Sequence, residues 1–169
     1  MSTGPYSEIY CLDADTLINI KRSYPEAIRK LSRYGKNGTV VIPEGVYREI
    51  HKKSDLLKQM VQIWKDKYGA VIPLNTRVLQ SELRRIEVAY GDNIMIGKQL
   101  RRGFWSSKSG QRAADSQVVA VSKVKKFIAV SNDQAIQDAC HIENVACITW
   151  QEFYRRMKRD FSAQDELFE

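Results

Sequence analysis

Four acidic residues of this chain stand at positions where their carboxylates could act together. Asp13 directly follows the first apolar run of the sequence, and Asp133 comes three residues after a later one. Glu49 and Asp115 lie in amphipathic segments next to such runs. Two carboxylates about 4 Å apart repel each other by on the order of 4 kcal/mol at an effective dielectric constant near 20. A divalent cation removes this repulsion, and Mg²⁺ prefers oxygen ligands, so the joint pattern predicts a metal site. The alternative for each acid taken singly is a helix cap, a turn residue or a surface charge.

The apolar runs predict the strands that would position these acids. They are continuous rather than alternating, which is typical of strands covered on both faces of a parallel sheet. The runs span residues 9–12, 39–42, 70–74, 127–130 and 145–148. The run that contains Pro73 is expected at a sheet edge, because proline cannot donate to a central ladder. We therefore expect an α/β fold, a three-layer α/β/α domain with a mainly parallel central sheet of about five strands. Its ligand site would lie beyond the carboxyl ends of the strands.

Cap and turn residues predict the helices between these strands. The expected helices span 25–35 with Pro25 in the first turn, 54–69 with Ser54 as N-cap, 75–91 with Asn75 as N-cap, 114–123 and 151–161. The alternation of strands and helices is what a parallel α/β domain requires.

Length and composition exclude several classes of protein. The length of 169 residues predicts a single domain over 1–169. The chain carries 27 Lys and Arg against 20 Asp and Glu, and this net charge of +7 predicts an acidic partner. The three cysteines form no C-x-x-C pair, so neither a disulfide framework nor a zinc knuckle is expected. No apolar run approaches the roughly 20 residues that a membrane span needs. We expect a cytoplasmic protein with no membrane partner.

A basic segment precedes Asp115. Residues 97–112 read GKQLRRGFWSSKSGQR and contain five basic residues and no acid. The predicted nucleic-acid-binding residues are Lys98, Arg101, Arg102, Trp105, Lys108 and Arg112. We expect a flexible loop that follows a phosphate backbone while an aromatic ring stacks on a base. The alternative for Phe104 and Trp105 is that they pack into the core.

Four short motifs, in this order along the chain, resemble the PIN domain. YCLDADTLI around Asp13 resembles the opening strand and first acid of that family, and VVIP followed by VYREI resembles the second strand and the helix with the second acid, Glu49. AADSQVVA around Asp115 resembles the segment with the third acid, and IAVSND ends at the fourth, Asp133. The predicted regions are a core over 8–153, a helical and basic-loop segment over 54–112, and a C-terminal helix with an acidic tail over 151–169.

The resemblance implies a metal-dependent ribonuclease. Its catalytic and metal-binding residues would be Asp13, Glu49, Asp115 and Asp133, which would hold one or two Mg²⁺ or Mn²⁺ ions. The metal would activate a water for in-line attack on phosphorus, so no protein nucleophile is required. RNA is the implied substrate. Small domains of this family are often the toxin of a toxin–antitoxin pair, so the resemblance also implies an antitoxin or regulatory protein as a partner and leaves a homodimer open.

Three polar residues near the acids have more than one role open to them. PIN domains often have Asn or Ser where this chain has Asp15, which could ligate metal, bind a metal-bound water or cap the first helix. Ser131 and Asn132 could hydrogen-bond a metal-bound water or the phosphate, or form a polar turn after the strand.

Two other functions are open at this stage. A catalytically inactive PIN-like module would bind RNA or a partner protein through the basic segment, although the intact acids argue against the loss of metal. The spacing of Asp13 and Asp15 also resembles the opening motif of haloacid-dehalogenase-like phosphatases. The Lys and acidic pair that those enzymes need later in the chain are missing after 145–148, and Glu49 and Asp115 would have no role.

Overall fold

The computed structural model describes residues 8–53, 55–106 and 113–165, except the side chains at 53, 55, 113 and 160–165. The elements follow one another as β1 (Tyr10–Leu12), α1 (Ala14–Ser23), α2 (Ile28–Asn37), β2 (Val40–Pro43), α3 (Glu44–Lys53), α4 (Asp55–Ile63), β3 (Val71–Ile72), α5 (Arg77–Tyr90), β4 (Asn93–Ile96), β5 (Gln99–Arg102), α6 (Ala113–Lys125), β6 (Ile128–Val130), α7 (Gln134–Glu143), β7 (Cys147–Ile148) and α8 (Trp150–Asp165). Single turns cover Pro25–Ala27, Trp64–Tyr68 and Phe104–Ser106.

The central sheet has five parallel strands in the order β3-β2-β1-β6-β7. In the middle strand, Tyr10 pairs with Val40 on one side and with Ile128 on the other. The five predicted strands are thus confirmed, and β3, which Pro73 follows, lies at an edge. The helices flank this sheet, so the expected three-layer α/β/α fold is confirmed. Because the strands are parallel, their carboxyl ends lie along one rim of the sheet. We call it the acid rim, because Asp13 follows β1 there and Asp133 follows β6.

Helix α6 forms the centre of the core. Val118, Val119, Ala120 and Val121 are all fully buried, so the helix is apolar on every side and must be enclosed by other elements. It packs against α3, α5 and α7 as well as strands of the sheet. Since α6 leads into β6, its first turn, which contains Asp115, lies at the acid rim.

Helix α2 ends later than predicted. It continues through Gly35 to Asn37, and Gly38 adopts the left-handed conformation that terminates it, with φ 82°. Gly35 has a packing role instead. A Cβ atom there would lie 2.1 Å from Cε2 of Trp64, so the glycine admits the buried indole.

The start of α5 is also shifted from the prediction. Thr76 is its N-cap, because the Thr76 Oγ1 accepts a hydrogen bond from the backbone nitrogen of Leu79 at 3.2 Å. Asn75 and Thr76 are both good capping residues, and their types alone do not separate them. The predicted cap Ser54 lies outside the described residues.

The prediction of a flexible loop over 97–112 is wrong in its first half. Strands β4 and β5 form an antiparallel hairpin that turns at Gly97, where φ is 61°. The alternation of buried and exposed residues in β4 explains it, since Ile94 is only 1% exposed and anchors the hairpin in the core. The aromatics divide: Phe104 is fully buried and Trp105 is 42% exposed. Residues 107–112, with the predicted Lys108 and Arg112, lie outside the described residues.

The C-terminal helix α8 begins at Trp150 and continues to Asp165, beyond the predicted end at 161. The ring of Tyr154 on this helix stacks on Tyr24 after α1, with centroids 3.8 Å apart, which fastens α8 to the domain. The acidic side chains of the predicted tail lie outside the described residues. In the part of the chain that the structure describes, none of the helices is long and apolar enough to cross a membrane.

Candidate metal centre and nucleic-acid interface

Asp13 begins α1 directly after β1. Its Oδ1 accepts the backbone N–H of Thr16 at 2.8 Å, the usual N-cap arrangement. Thr16 in turn donates from its hydroxyl to the backbone oxygen of Val130 at 3.2 Å. The neighbouring strand β6 therefore helps to fix the carboxylate, which is only 4% exposed.

Ser131 joins Asp13 to Asp133 on that neighbouring strand. The fully buried hydroxyl of Ser131 donates to Asp13 Oδ2 and accepts the backbone N–H of Asp133 at 3.0 Å. Asp133 caps α7 with its Oδ1, which accepts the backbone N–H of Ile136 at 3.0 Å. The described residues provide no donor to the other carboxylate oxygen of Asp133. Two acids predicted from sequence are thus brought to adjacent strand ends and linked through one hydroxyl.

The buried carboxylate of Asp13 lacks a counter-cation among the described residues. Burial raises the pKa of Asp13 to about 6, although the hydrogen bonds from Ser131 and Thr16 oppose the shift and the charge of Asp15 adds to it. Within the described ranges, no Lys, Arg or His side chain forms an ion pair with it. A buried carboxylate without a cationic partner is costly to keep ionised, and hydrogen bonds, protonation or a bound cation each reduce that cost.

Glu49 and Asp115 lie on two helices that meet beside the acid rim. The backbone N–H of Gly45 in α3 donates to Oε1 of the buried Gln117 in α6 at 2.7 Å. Glu49 is one turn after Gly45 on α3, and Asp115 is in the first turn of α6. Both acids are half-buried. Gln117, which the sequence does not single out, therefore holds the two acid-bearing helices together.

The acids suit a hard divalent cation in type but do not close around one point. Carboxylates alone form the donor set, which is the preference of Mg²⁺ and Mn²⁺. Among residues 8–53, 55–106 and 113–165, no three Asp, Glu, His or Cys side chains converge as metal ligands. The observation that fits a cation is the buried carboxylate of Asp13, which has no cationic partner among the described residues. The other acids would complete the ligands only by turning toward it.

Asp15 and Asn132 have different surroundings. Asp15 is exposed in the first turn of α1, two residues from Asp13. The Oδ1 of Asn132 accepts the backbone N–H of Trp150, and its Nδ2 donates to Oε1 of Gln151, each at 2.8 Å. The side chain of Asn132 thus connects the end of β6 to the start of α8.

The hairpin brings part of the basic segment to the acid rim. A groove of about 520 Å³ lies between β5 and the first turn of α7. It is lined by Gln99, Leu100, Arg101, Arg102, Gly103, Ser106, Asp133, Gln134 and Ala135. Arg101 donates from Nη1 to Asp138 Oδ1 at 3.1 Å, while Arg102 and Lys98 are exposed. The ion-pair partner Asp138 was not predicted, because nothing in its helix marks it as the partner of a residue so distant in the chain.

The fold defines the class of protein. The chain superposes on the DNA-bound VapBC of Salmonella typhimurium with a TM-score of 0.52 and 14% sequence identity, over 85% of this chain and 98% of that one. For VapBC2 of Rickettsia felis bound to a DNA fragment from their promoter, the TM-score is 0.50 and the identity 16%, over 84% of this chain and 98% of that one. The fold is PIN-like, as the motifs predicted.

The family follows from the sequence match. The model of a domain of unknown function, DUF4411, matches residues 10–161, and the chain belongs to that family. No curated protein matches the chain.

Proposed function

We propose that this protein is a metal-dependent ribonuclease that hydrolyses phosphodiester bonds at the acid rim. The observation that carries the proposal is the buried Asp13, which is oriented by Ser131 and Thr16 and lacks a cationic partner among the described residues. The PIN-like fold and the order of the four acids support the same conclusion.

In this proposal each acid has a defined task. Asp13 and Asp133 would hold Mg²⁺ or Mn²⁺ from adjacent strand ends, with Glu49 and Asp115 completing the ligands from α3 and α6. The cation, when bound, would lower the pKa of a water and stabilise charge on the leaving oxygen. Ser131 keeps the Asp13 carboxylate in one orientation, and the burial of Asp13 excludes competing water from it.

The test is cleavage of a labelled single-stranded RNA by the full chain with Mg²⁺ or Mn²⁺, with EDTA, and after Asp115→Asn. We expect cleavage only with metal and a loss of about 100-fold or more in the variant, since several kcal/mol of charge stabilisation would be removed. Glu26→Gln, at an exposed site on the turn before α2, is the matched control and should cleave normally.

Two results would contradict the proposal. Cleavage that survives both EDTA and Asp115→Asn would exclude metal-assisted hydrolysis. RNA binding without any cleavage under all metal conditions would instead favour the catalytically inactive PIN-like module.

We further propose that the protein has an antitoxin-like protein partner, as the VapBC complexes of similar fold suggest. A groove of about 410 Å³ between α2 and α4 supports this, because Leu56 and Ile63 expose 49% and 43% of their surface there. Arg29 and Arg33 line the same groove. Apolar residues beside basic ones fit an amphipathic helix with acidic flanks. Leu56→Asp should abolish complex formation with a co-expressed partner, and an unchanged complex would place the partner elsewhere.

A further inference from the structure

Arg101 and Arg102 are adjacent residues of β5 whose side chains lie on opposite faces of the β4–β5 hairpin. Side chains alternate between the faces of a strand, so Arg101 and Arg102 lie on different faces of β5. Arg101 pairs in register with Ile94, which is 1% exposed, and therefore lies on the inward face. Arg102 pairs with Asn93, and both are exposed.

The inward arginine serves the fold. Arg101 Nη1 lies 3.1 Å from Oδ1 of Asp138, a residue of α7 that is 6% exposed. The same carboxylate accepts a hydrogen bond from Nε2 of Gln134 at 2.8 Å. The charge of Arg101 is thus matched within the protein, and the ion pair fastens the hairpin to α7. A cation already paired with a buried acid is a poor candidate for a phosphate contact.

Arg102 borders a groove that leads to the acid rim. The groove between β5 and α7 is lined by both Arg101 and Arg102 and, at the start of α7, by Asp133. Among the described residues Arg101 is paired with Asp138, whereas no acid pairs with Arg102. Asp133 is tied to Asp13 through Ser131. Lys98, exposed at the hairpin turn, adds a second positive charge beyond Arg102. The volume of about 520 Å³ lies within the roughly 300–1,000 Å³ of ligand clefts, and it suits a few unpaired nucleotides rather than a duplex.

We propose that the groove between β5 and α7 binds single-stranded RNA, with Arg102 contacting phosphate and the Arg101–Asp138 pair acting as the positioning device that holds the groove wall. The inference rests on the proposed ribonuclease function and names the groove in which its substrate would bind. Arg101 and Arg102 were both predicted to bind RNA, but here Arg102 contacts the RNA, whereas Arg101 acts through Asp138.

The first test measures RNA affinity by fluorescence anisotropy of the full chain in EDTA, so that cleavage does not interfere, over about 50–200 mM salt. Arg102→Gln should weaken binding and reduce the slope of log affinity against log salt by about 1, the value for one lost phosphate contact. In cleavage assays it should raise KM and leave kcat nearly unchanged. Lys125→Gln, at the far end of α6, is the matched control.

The second test exchanges the charges of the ion pair. Arg101→Asp alone should weaken RNA binding by releasing the hairpin, and Arg101→Asp with Asp138→Arg should restore most of the affinity. Hydrogen exchange of the β4–β5 amides reports docking independently of RNA. If the exchanged pair does not fold, Arg101→Met with Asp138→Leu replaces the ion pair by an apolar contact and carries the same expectation.

Three results would overturn the inference. If Arg102→Gln leaves the slope of log affinity against log salt unchanged, Arg102 does not contact RNA phosphate. A protected hairpin with unrestored RNA affinity in the paired variants would mean that Arg101 itself contacts RNA. Normal RNA affinity and KM in every groove variant would assign the groove to another ligand, such as an extended peptide pairing with the edge of β5. Groove-dependent RNA binding without metal-dependent cleavage would contradict the ribonuclease proposal and keep this one.

Discussion

The acid rim and the β4–β5 hairpin differ in whether a charged side chain has a partner of opposite charge. At the rim, Asp13 is buried among neutral donors and has no cationic partner in the described part of the chain. At the hairpin, the charge of Arg101 is matched by Asp138. A charge paired within the protein can serve the fold alone, whereas a buried carboxylate without a cationic partner is costly to keep ionised and can be stabilised by hydrogen bonds, by protonation or by a bound cation. We propose the bound cation for the rim, and a positioning role for the ion pair.

Asp13→Asn gives the largest expected effect on this contrast. It should lower RNA cleavage by about 100-fold or more, because it removes the carboxylate that we propose as a cation ligand. The same variant should unfold at a higher temperature at pH 7 without metal, since the buried charge disappears while the amide oxygen can still cap α1. Cleavage rates and thermal unfolding test both parts, and a variant that is inactive because it is unstable would contradict the account.

Ser131→Ala should have the next largest effect. The hydroxyl orients Asp13 and receives the Asp133 N–H, and the loss of such supporting contacts typically costs about 10–100-fold in activity or metal affinity. Ser122→Ala is the matched control, because this buried serine on α6 contacts neither acid. Equal rates for the two variants would remove Ser131 from the site.

The ion pair should show an asymmetry in stability. Arg101→Ala leaves the buried carboxylate of Asp138 without its cation and should cost about 1–3 kcal/mol in the free energy of unfolding. Asp138→Asn leaves Arg101 partly accessible to water and should cost less, because exposed charges are screened. Denaturant unfolding of both variants decides this, and the reverse order would contradict the role of Asp138 as the buried partner.

The smallest expected effect is a pH dependence from Asp13. Its pKa in the folded protein, about 6, lies above the ordinary value of 3.8, so the folded state binds this proton more tightly than the unfolded state. The stability that this group contributes is therefore full below about pH 4 and declines as pH rises to about 6. The unfolding temperature of the wild type minus that of Asp13→Asn should fall over this range. A constant difference would contradict the raised pKa.

The two regions also differ in what their sequences could predict. Asp13 and Asp133 follow continuous apolar runs, and parallel strands place such residues on one rim, so local pattern and topology were sufficient. The hairpin depends on the pairing of β4 with β5 and on Asp138, which lies in a helix much later in the chain. The spacing of apolar residues does not predict a contact between residues so far apart in the chain. The hydrogen bonds of Ser131 to Asp13 and Asp133 could not be predicted either, because a serine after a strand is equally suited to a polar turn.

Binding of Mn²⁺ to the full chain tests the central claim most directly. Electron paramagnetic resonance of free Mn²⁺ during a titration counts the bound ions in the wild type, in Asp13→Asn and in the control Glu26→Gln. We expect one or two bound ions in the wild type and the control, and the loss of at least one in Asp13→Asn. Equal Mn²⁺ binding by the wild type and Asp13→Asn would contradict the assignment of the acid rim as a metal centre.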